Sequence, residues 1–111
     1  MNGTFSPGLV RLDSNGVVDA TFSVGTGANG VVRSLAVQPD GKIVIGGDFT
    51  VFNGRGRVRV ARLNTDGGVD TSFDPGLGAD ALVRSVILQR NGSIIVGGSF
   101  AKFGGFTFNG I

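Results

Sequence analysis

The chain has 111 residues, of which 41% are hydrophobic and 16% charged, and its formal net charge is +2; this composition fits one folded domain and gives no reason to expect a nucleic-acid partner. It contains no Cys, His or Glu, which excludes disulfides, metal or haem centres ligated by His or Cys, and Ser-His or Cys-His nucleophile pairs. Only Asp is left for acid–base chemistry, and no run approaches the ~18 apolar residues of a membrane helix, so we expect no enzyme activity, cofactor, metal or membrane insertion.

The first part of the chain predicts an irregular lead-in followed by a weak hairpin. Pro7 and Gly8 interrupt residues 1–8, and this segment lacks the charged and apolar regions of a signal peptide. Residues 9–22 then contain two short apolar runs around Asp-Ser-Asn-Gly at 13–16, which is a turn sequence. A glycine-rich loop at 23–30 separates this hairpin from the next.

The strongest pattern is VVRSLAVQPDGKIVIGGDF at 31–49, two β-branched runs around a Pro-Asp-Gly turn. Asp and Gly tolerate the backbone of a tight turn, while Val and Ile favour pleated strands. We therefore predict strands at 31–38 and 42–49, followed by further strands at 57–63 and about 69–73. The sequence LVRSVILQRNGSIIVGGSF then predicts a second strong hairpin, with strands at 82–89 and 93–100.

The chain matches itself at an offset of 51 residues. RLDSNGVVDATFSVGTGANGVVRS at 11–34 aligns with RLNTDGGVDTSFDPGLGADALVRS at 62–85, and the match continues to Phe52 and Phe103. This predicts a single domain, 1–111, made of two repeats at about 11–61 and about 62–111. Four antiparallel strands in each period, without any helical pattern, predict an all-β fold of propeller-type blades. The runs IVIGG and IIVGG are apolar on both faces, as in a blade stacked between two neighbours.

The units RLNTDGGVDTSFDPGLGA and QPDGKIVIGGDF resemble the delta-60 repeat, a bacterial propeller-type repeat usually found in long tandem arrays on secreted or surface proteins. The resemblance covers nearly the whole chain and implies a propeller fold and an extracellular or cell-surface location. The chain differs from the family pattern in carrying two copies, and in having Gln-Arg-Asn-Gly at 89–92 where Gln-Pro-Asp-Gly is usual. The resemblance implies no activity for any residue of the chain.

Two blades do not close a propeller, which needs about four to eight. Residues 9–22 match the last two strands of a blade and 82–103 the first two, so one blade is complete and two are half-built. Unpaired edges and open apolar faces are templates for association. We expect copies of the chain to complete one another's blades, in a ring with an even blade total or, as the second choice, in a filament. The candidate interface residues are Leu9, Val10, Leu12, Val18, Phe22, Ile94, Val96, Phe100 and Phe103.

A glycan- or protein-binding module that presents repeated loops is the alternative function. Arg33 and Arg84 occupy one repeat position, and Arg55, Arg57 and Arg59 alternate along a predicted strand. These side chains could contact an anionic ligand, or they could form a solvated strand face and structural ion pairs. Nine Phe residues, without Trp or Tyr, indicate core packing rather than sugar stacking.

Each of three short motifs can be explained either as a turn or loop or as a functional site. Residues 25–30 fit GxGxxG, but a strand is predicted to follow, which favours an inter-strand loop over a dinucleotide site. Residues 13–16 and 64–67 resemble the front of a calcium loop whose downstream Glu is missing. Asn2 and Asn91 begin N-glycosylation sequons, and Asn91 also has a turn role.

Overall fold

Short antiparallel strands make up the regular structure of the chain. The computed structural model describes residues 9–73, 75–100, 102–104 and 106–107. Its strands are β1 (Val32–Val37), β2 (Ile43–Gly47), β3 (Val51–Phe52), β4 (Arg55–Gly56), β5 (Val60–Leu63), β6 (Val83–Leu88), β7 (Ile94–Gly98), β8 (Lys102–Phe103) and β9 (Phe106–Thr107). The all-β prediction is confirmed for these residues, and they include no helix long and apolar enough to cross a membrane.

The central sheet is built around β2. Strands β1 and β5 pair with its two edges, both antiparallel, so the order is β1-β2-β5. The β1–β2 turn forms because Lys42 N–H donates to Asp40 Oδ1 over 3.0 Å and Gly41 adopts a φ of +88°, which glycine tolerates without a steric penalty. All five residues of β2 are buried, as expected for a strand covered on both faces.

A second sheet, β6–β7, repeats the β1–β2 hairpin 51 residues later. The pairing register is the same, and the same irregularity falls between Val83 and Ser85 as between Val32 and Ser34. The two strong hairpins predicted from the sequence are confirmed, with strands slightly shorter at their ends. Among the described residues β7 pairs only with β6, so this sheet has two strands where the central sheet has three.

The strand predicted over 57–63 begins only at Val60. Arg59 has a φ of +70°, which is incompatible with a strand, and its N–H donates to Phe49 O over 2.7 Å. Arg55 lies in β4, while Arg57 lies in the connection to β5. The predicted face of three arginines on one strand is therefore wrong.

The strands predicted at the end of each period are single β-bridges. Val69 bridges Leu63, just as Val18 bridges Leu12. The chain then turns at Asp70, because its carboxylate accepts a hydrogen bond from the Ser72 N–H over 3.0 Å. No strand runs through 69–73, and the weak hairpin expected in 9–22 is reduced in the same way.

Two short hairpins, β3–β4 and β8–β9, have no counterpart in the sequence prediction. Each follows a strong hairpin and brings two aromatic rings together. Phe52 meets Phe49 edge to face with ring centroids 6.0 Å apart, and Phe103 meets Phe100 with centroids 5.6 Å apart. Strands of two residues are too short to produce a periodic pattern in the sequence.

The central sheet carries a hydrophobic core on each of its two faces. The first core lies between the sheet and the preceding segment of the chain, and includes Phe22, Val24, Ala28, Ile43, Ile45, Phe49, Phe52, Ala61, Leu63 and Val69. The second lies between the sheet and β6–β7, and includes Val44, Val60, Ala79, Val83, Val86 and Phe100. The second core holds the two sheets together.

Gly46 is where β6 packs directly on β2. A Cβ placed on Gly46 would lie 2.5 Å from Val83 Cγ1 and 2.9 Å from Val86 Cγ2, so a side chain here would force the sheets apart. Across the same contact, Val86 N–H donates to Ser34 Oγ over 3.1 Å. The equivalent glycine of the second sheet, Gly97, has no atom within 4 Å of its Cβ position.

Replacing Gly46 by alanine tests this contact. Because the added methyl group overlaps Val83 and Val86, we expect Gly46→Ala to lower the free energy of unfolding by about 1–3 kcal/mol. Urea unfolding at a dilution where the chain is monomeric measures the change. Gly97→Ala is the matched control and should alter stability by less than about 0.5 kcal/mol. Equal losses in the two variants would contradict the packing described here.

Candidate functional site

A polar site on Asp70 ties the segment after β5 to the central sheet. Asp70 Oδ2 accepts hydrogen bonds from Lys42 Nζ over 2.9 Å and from Arg62 Nε over 2.8 Å, while Oδ1 accepts one from the Ser72 hydroxyl over 2.6 Å. The Arg62 guanidinium also lies 5.0 Å from the ring centroid of Phe73. Both carboxylate oxygens of this buried residue are engaged, so the site is suited to holding the blade together rather than to proton transfer.

The same site recurs on Asp19 with one cation fewer. Asp19 Oδ2 accepts from Arg11 Nε over 3.1 Å, and Oδ1 accepts from the Thr21 N–H over 2.9 Å. In both sites the hydroxyl at the equivalent position, of Thr21 or Ser72, has the largest effect in lowering the pKa of the aspartate. Lys42 strengthens this effect for Asp70, whose pKa lies far below its ordinary value. For Asp19, the described residues provide one ion pair, with Arg11.

Three apolar side chains beside the Asp19 site are far more exposed than their counterparts 51 residues later. Val10, Leu12 and Val18 are 61%, 52% and 62% exposed, whereas Ala61, Leu63 and Val69 are 0%, 0% and 9% exposed. The counterparts are covered because β2 pairs with β5. Within the described residues no strand lies beside 9–12 in this way. We call Val10, Leu12 and Val18 the open edge.

The β6–β7 sheet has the complementary gap. β2 has a neighbour on each side, but the outer edge of β7 is unpaired among the described residues. Ile94 and Val96 of β7 are partly buried against the second core. Residues 9–12 therefore correspond to β5 but have no strand paired with them among the described residues. Strand β7 corresponds to β2, but its outer edge has no partner there that corresponds to β5.

The two outermost sheet faces are apolar as well. Leu35 and Val37 are exposed on one face of the central sheet, and Ile87 and Ile95 are exposed on the face of β6–β7 that points away from it. These four residues were not among the candidates that sequence reasoning gives. The signal that could have identified them is the run of apolar residues on both faces of each strong hairpin.

The nine predicted interface residues fall into three groups. Val10, Leu12 and Val18 are exposed; Leu9, Ile94, Val96 and Phe103 are partly buried against the cores of the chain; Phe22 and Phe100 are buried within those cores. The chain itself therefore covers the two phenylalanines, because Phe22 lies in the first core and Phe100 in the second.

Three of the five predicted ligand-facing arginines gather around Asp48. Arg33 makes two hydrogen bonds to the Asp48 carboxylate, both of 2.8 Å, and this contact is the main cause of the lowered pKa of Asp48. Arg59 and Arg84 lie near enough to lower that pKa further. Arg59 also donates to Ala79 O over 2.9 Å, which joins the connection before β5 to the segment before β6. We call Arg33, Asp48, Arg59 and Arg84 the arginine cluster. Arg57 contacts it through its backbone, because its carbonyl oxygen accepts the Arg59 N–H over 3.0 Å, while Arg55 lies in β4.

The short motifs at 13–16, 64–67 and 91–93 form turns through side-chain to backbone hydrogen bonds. Asp13 Oδ1 accepts from the N–H groups of Asn15 and Val17, and Asp66 Oδ1 accepts from that of Gly68. Asn91 Oδ1 accepts from the Ser93 N–H over 3.0 Å, while Asn2 lies outside the described residues. Residues 25–30 lead into β1, as predicted for an inter-strand loop. In the part of the chain that the structure describes, no three Asp side chains group as metal ligands would.

Comparison with known proteins identifies one family. A family model described as "Domain of unknown function (DUF5122) beta-propeller" matches residues 2–22, 38–73 and 89–111, which is most of the chain. The matched segments start at 38 and 89 and end at 22 and 73, so they follow the 51-residue period. No curated protein and no solved structure gives a significant match. The resemblance to the delta-60 repeat stays a prediction beside this related propeller-type match.

Replacing Asp70 tests the polar site through its pH dependence. Its pKa is depressed in the folded chain but near 3.9 when unfolded, so its contribution to stability is present above about pH 4 and is lost as the pH falls. We expect Asp70→Asn to lower the free energy of unfolding at neutral pH by about 1–3 kcal/mol, and to flatten its decline from about pH 5 to about pH 3.

Urea unfolding across this pH range measures both effects. Asp19→Asn is the matched control, and its loss should be smaller because Asp19 is more exposed and has one cation partner. A larger loss for Asp19→Asn than for Asp70→Asn would contradict the role assigned to Lys42.

Proposed function

Because the chain belongs to the DUF5122 β-propeller family, we propose that it is a non-catalytic structural module whose copies complete one another's propeller blades. The chain would then consist of two blade repeats, about 11–61 and about 62–111. Each completed blade would have four strand positions, provided in the central blade by β1, β2, β5 and the bridge at Val69. An extracellular or cell-surface location is proposed from the resemblance to the delta-60 repeat.

The observation that carries this proposal is the contrast between the open edge and its buried counterparts. In a completed blade, residues 9–12 of one copy pair with β7 of another, as β5 pairs with β2. The register of the β2–β5 pair would place Ile94 opposite Leu12 and Val96 opposite Val10. The apolar side chains of the open edge would then be covered, and the unpaired backbone groups of β7 would gain partners.

Edge pairing alone is of marginal strength. Covering three half-exposed apolar side chains contributes about 1 kcal/mol each, and each backbone hydrogen bond adds about 1 kcal/mol. Association costs about 4–15 kcal/mol in lost freedom. A stable assembly therefore needs a second contact, which the exposed sheet faces can provide. A ring with an even number of blades and an open filament both satisfy these contacts.

Ligand binding at the arginine cluster is the second candidate function. The cluster carries three guanidinium groups against one carboxylate, and it lies where the central sheet meets β6. Such an excess of positive charge favours an anionic partner, such as a sulfated or acidic glycan. The pairing of Arg33 with Asp48 offers the competing explanation that the cluster positions neighbouring blades.

Replacing Leu12 tests blade completion. A carboxylate at position 12 would be buried in the joint, so we expect Leu12→Asp to weaken association at least tenfold, on the order of the ~1–3 kcal/mol that an unpaired buried polar group costs. Sedimentation velocity over a range of concentrations measures this, and the unmodified chain should sediment as a multiple of 11.3 kDa.

Val17→Asp is the matched control. Val17 is also exposed, but its counterpart Gly68 has only atoms of its own turn, in Asp66 and Asn64, within 4 Å of its Cβ position. A charge there should leave association unchanged. A monomeric chain at micromolar concentration, or equal effects of the two substitutions, would contradict blade completion.

Replacing Arg84 tests the second candidate. If the cluster binds an anionic glycan, a sulfated oligosaccharide should bind the chain in a salt-dependent manner, and Arg84→Ala should weaken that binding severalfold. Isothermal titration calorimetry at two salt concentrations measures this. Arg90→Ala is the control, since Arg90 is exposed in the β6–β7 turn. Equal binding by both variants would remove the cluster as the site.

A further inference from the structure

The contact between the two sheets inside the chain has both an apolar and a polar component. We call the central sheet the receiving side of this contact and β6 the entering side. On the receiving side, Gly46 leaves room for Val83 and Val86 of β6. On the same side, Ser34 Oγ accepts the Val86 N–H over 3.1 Å. The central sheet thus offers β6 a hydroxyl acceptor and a position without a side chain, with Ala36 and Val44 beside them in the second core.

Both sides of this contact recur on the two outer sheet faces, and among the described residues no further sheet covers them. The receiving side recurs on β6–β7 as Ser85, Ile87, Ile95 and Gly97, which we call the tail face. Ile87 and Ile95 are roughly half exposed, and no atom lies within 4 Å of a Cβ placed on Gly97. The entering side recurs on the central sheet as Val32, Leu35 and Val37, which we call the head face. Leu35 and Val37 are also roughly half exposed.

We propose that copies of the chain join head to tail, with the head face of one copy packed on the tail face of the next in the register of the internal contact. This inference rests on the proposed function and specifies its geometry. Val32 and Leu35 of the incoming copy would pack against Gly97, as Val83 and Val86 pack against Gly46. Leu35 N–H would donate to Ser85 Oγ, as Val86 N–H does to Ser34 Oγ.

One placement of the incoming copy satisfies the face and the edge together. Residues 60–73 have a fixed position relative to the sheet that follows them, and residues 9–22 have the equivalent position relative to the central sheet. When the head face of the next copy covers the tail face, its residues 9–12 consequently reach the unpaired edge of β7. One rotation that carries each copy onto the next therefore satisfies both contacts. Because each joint uses two different surfaces of the chain, the interface is heterologous.

The joint differs from the internal blade at one charged position. Inside the chain, Lys42 reaches Asp70 over 2.9 Å. Across the joint, the counterpart of Lys42 is Ser93, and the counterpart of Asp70 is Asp19 of the next copy. The joint therefore lacks an ammonium group that the internal blade has, and restoring it should strengthen association.

Two singly blocked variants test the polarity of the joint. Leu35→Lys blocks the head face and Ile87→Lys blocks the tail face, and both residues are exposed, so folding should be retained. Each variant alone should be monomeric. An equimolar mixture should form a 1:1 dimer of twice 11.3 kDa, because one unblocked head face and one unblocked tail face remain. Sedimentation velocity measures all three samples.

The results separate this inference from the proposed function. If the unmodified chain assembles but the mixture stays monomeric, or either variant alone still assembles, the head-to-tail joint is wrong while self-association stands. A monomeric unmodified chain overturns both.

Ser93→Lys tests the register. It should strengthen association roughly threefold to tenfold by restoring the ion pair, and Ser93→Gln, which adds length without charge, should not. Combining Ser93→Lys with Asp19→Asn should remove the gain. A gain that persists in the double variant, or no gain at all, would contradict this register.

Discussion

The close approach of β6 to β2 at Gly46 determines how the rest of the chain is arranged. Because position 46 has no side chain, Val83 and Val86 can fill the space between the sheets, and Ser34 can accept a backbone hydrogen bond across it. The resulting core is formed by residues far apart in sequence, so it fixes the two hairpins as one unit. The outer faces of the two sheets carry the residues that correspond to the two sides of this contact.

The Asp70 site adds polar contacts that hold the segment after β5 against the central sheet. At Asp70, a carboxylate with two cations and a hydroxyl joins this segment to the sheet, and its burial makes these partners indispensable. The Asp19 site keeps the arginine and the hydroxyl but has no lysine at hand. This difference accompanies the exposure of Val10, Leu12 and Val18 beside Asp19, whose counterparts beside Asp70 are buried.

The exposed charged groups and the exposed apolar side chains of the chain differ in how they interact with water. The arginine cluster is partly exposed, and its interactions are screened by salt and water. Half-exposed valine, leucine and isoleucine side chains at both edges and both faces are disfavoured in water at any salt concentration. The arginine cluster spans the boundary between the two sheets, so it is compatible with a role in positioning them as well as with the proposed anionic ligand.

Features that depend on neighbouring residues and on repetition could be predicted from the sequence. The Asp40-Gly41 and Asn91-Gly92 turns, the β-branched runs around them and the 51-residue offset are local or periodic signals, and they predicted both strong hairpins and the all-β class. Three features are set by the fold and could not be predicted in this way: Arg59 leaves the strand, Lys42 reaches Asp70, and Leu35 and Ile87 are left exposed. These features depend on which distant residues meet, because a side chain's exposure and partners are set by the neighbouring sheet rather than by its own strand.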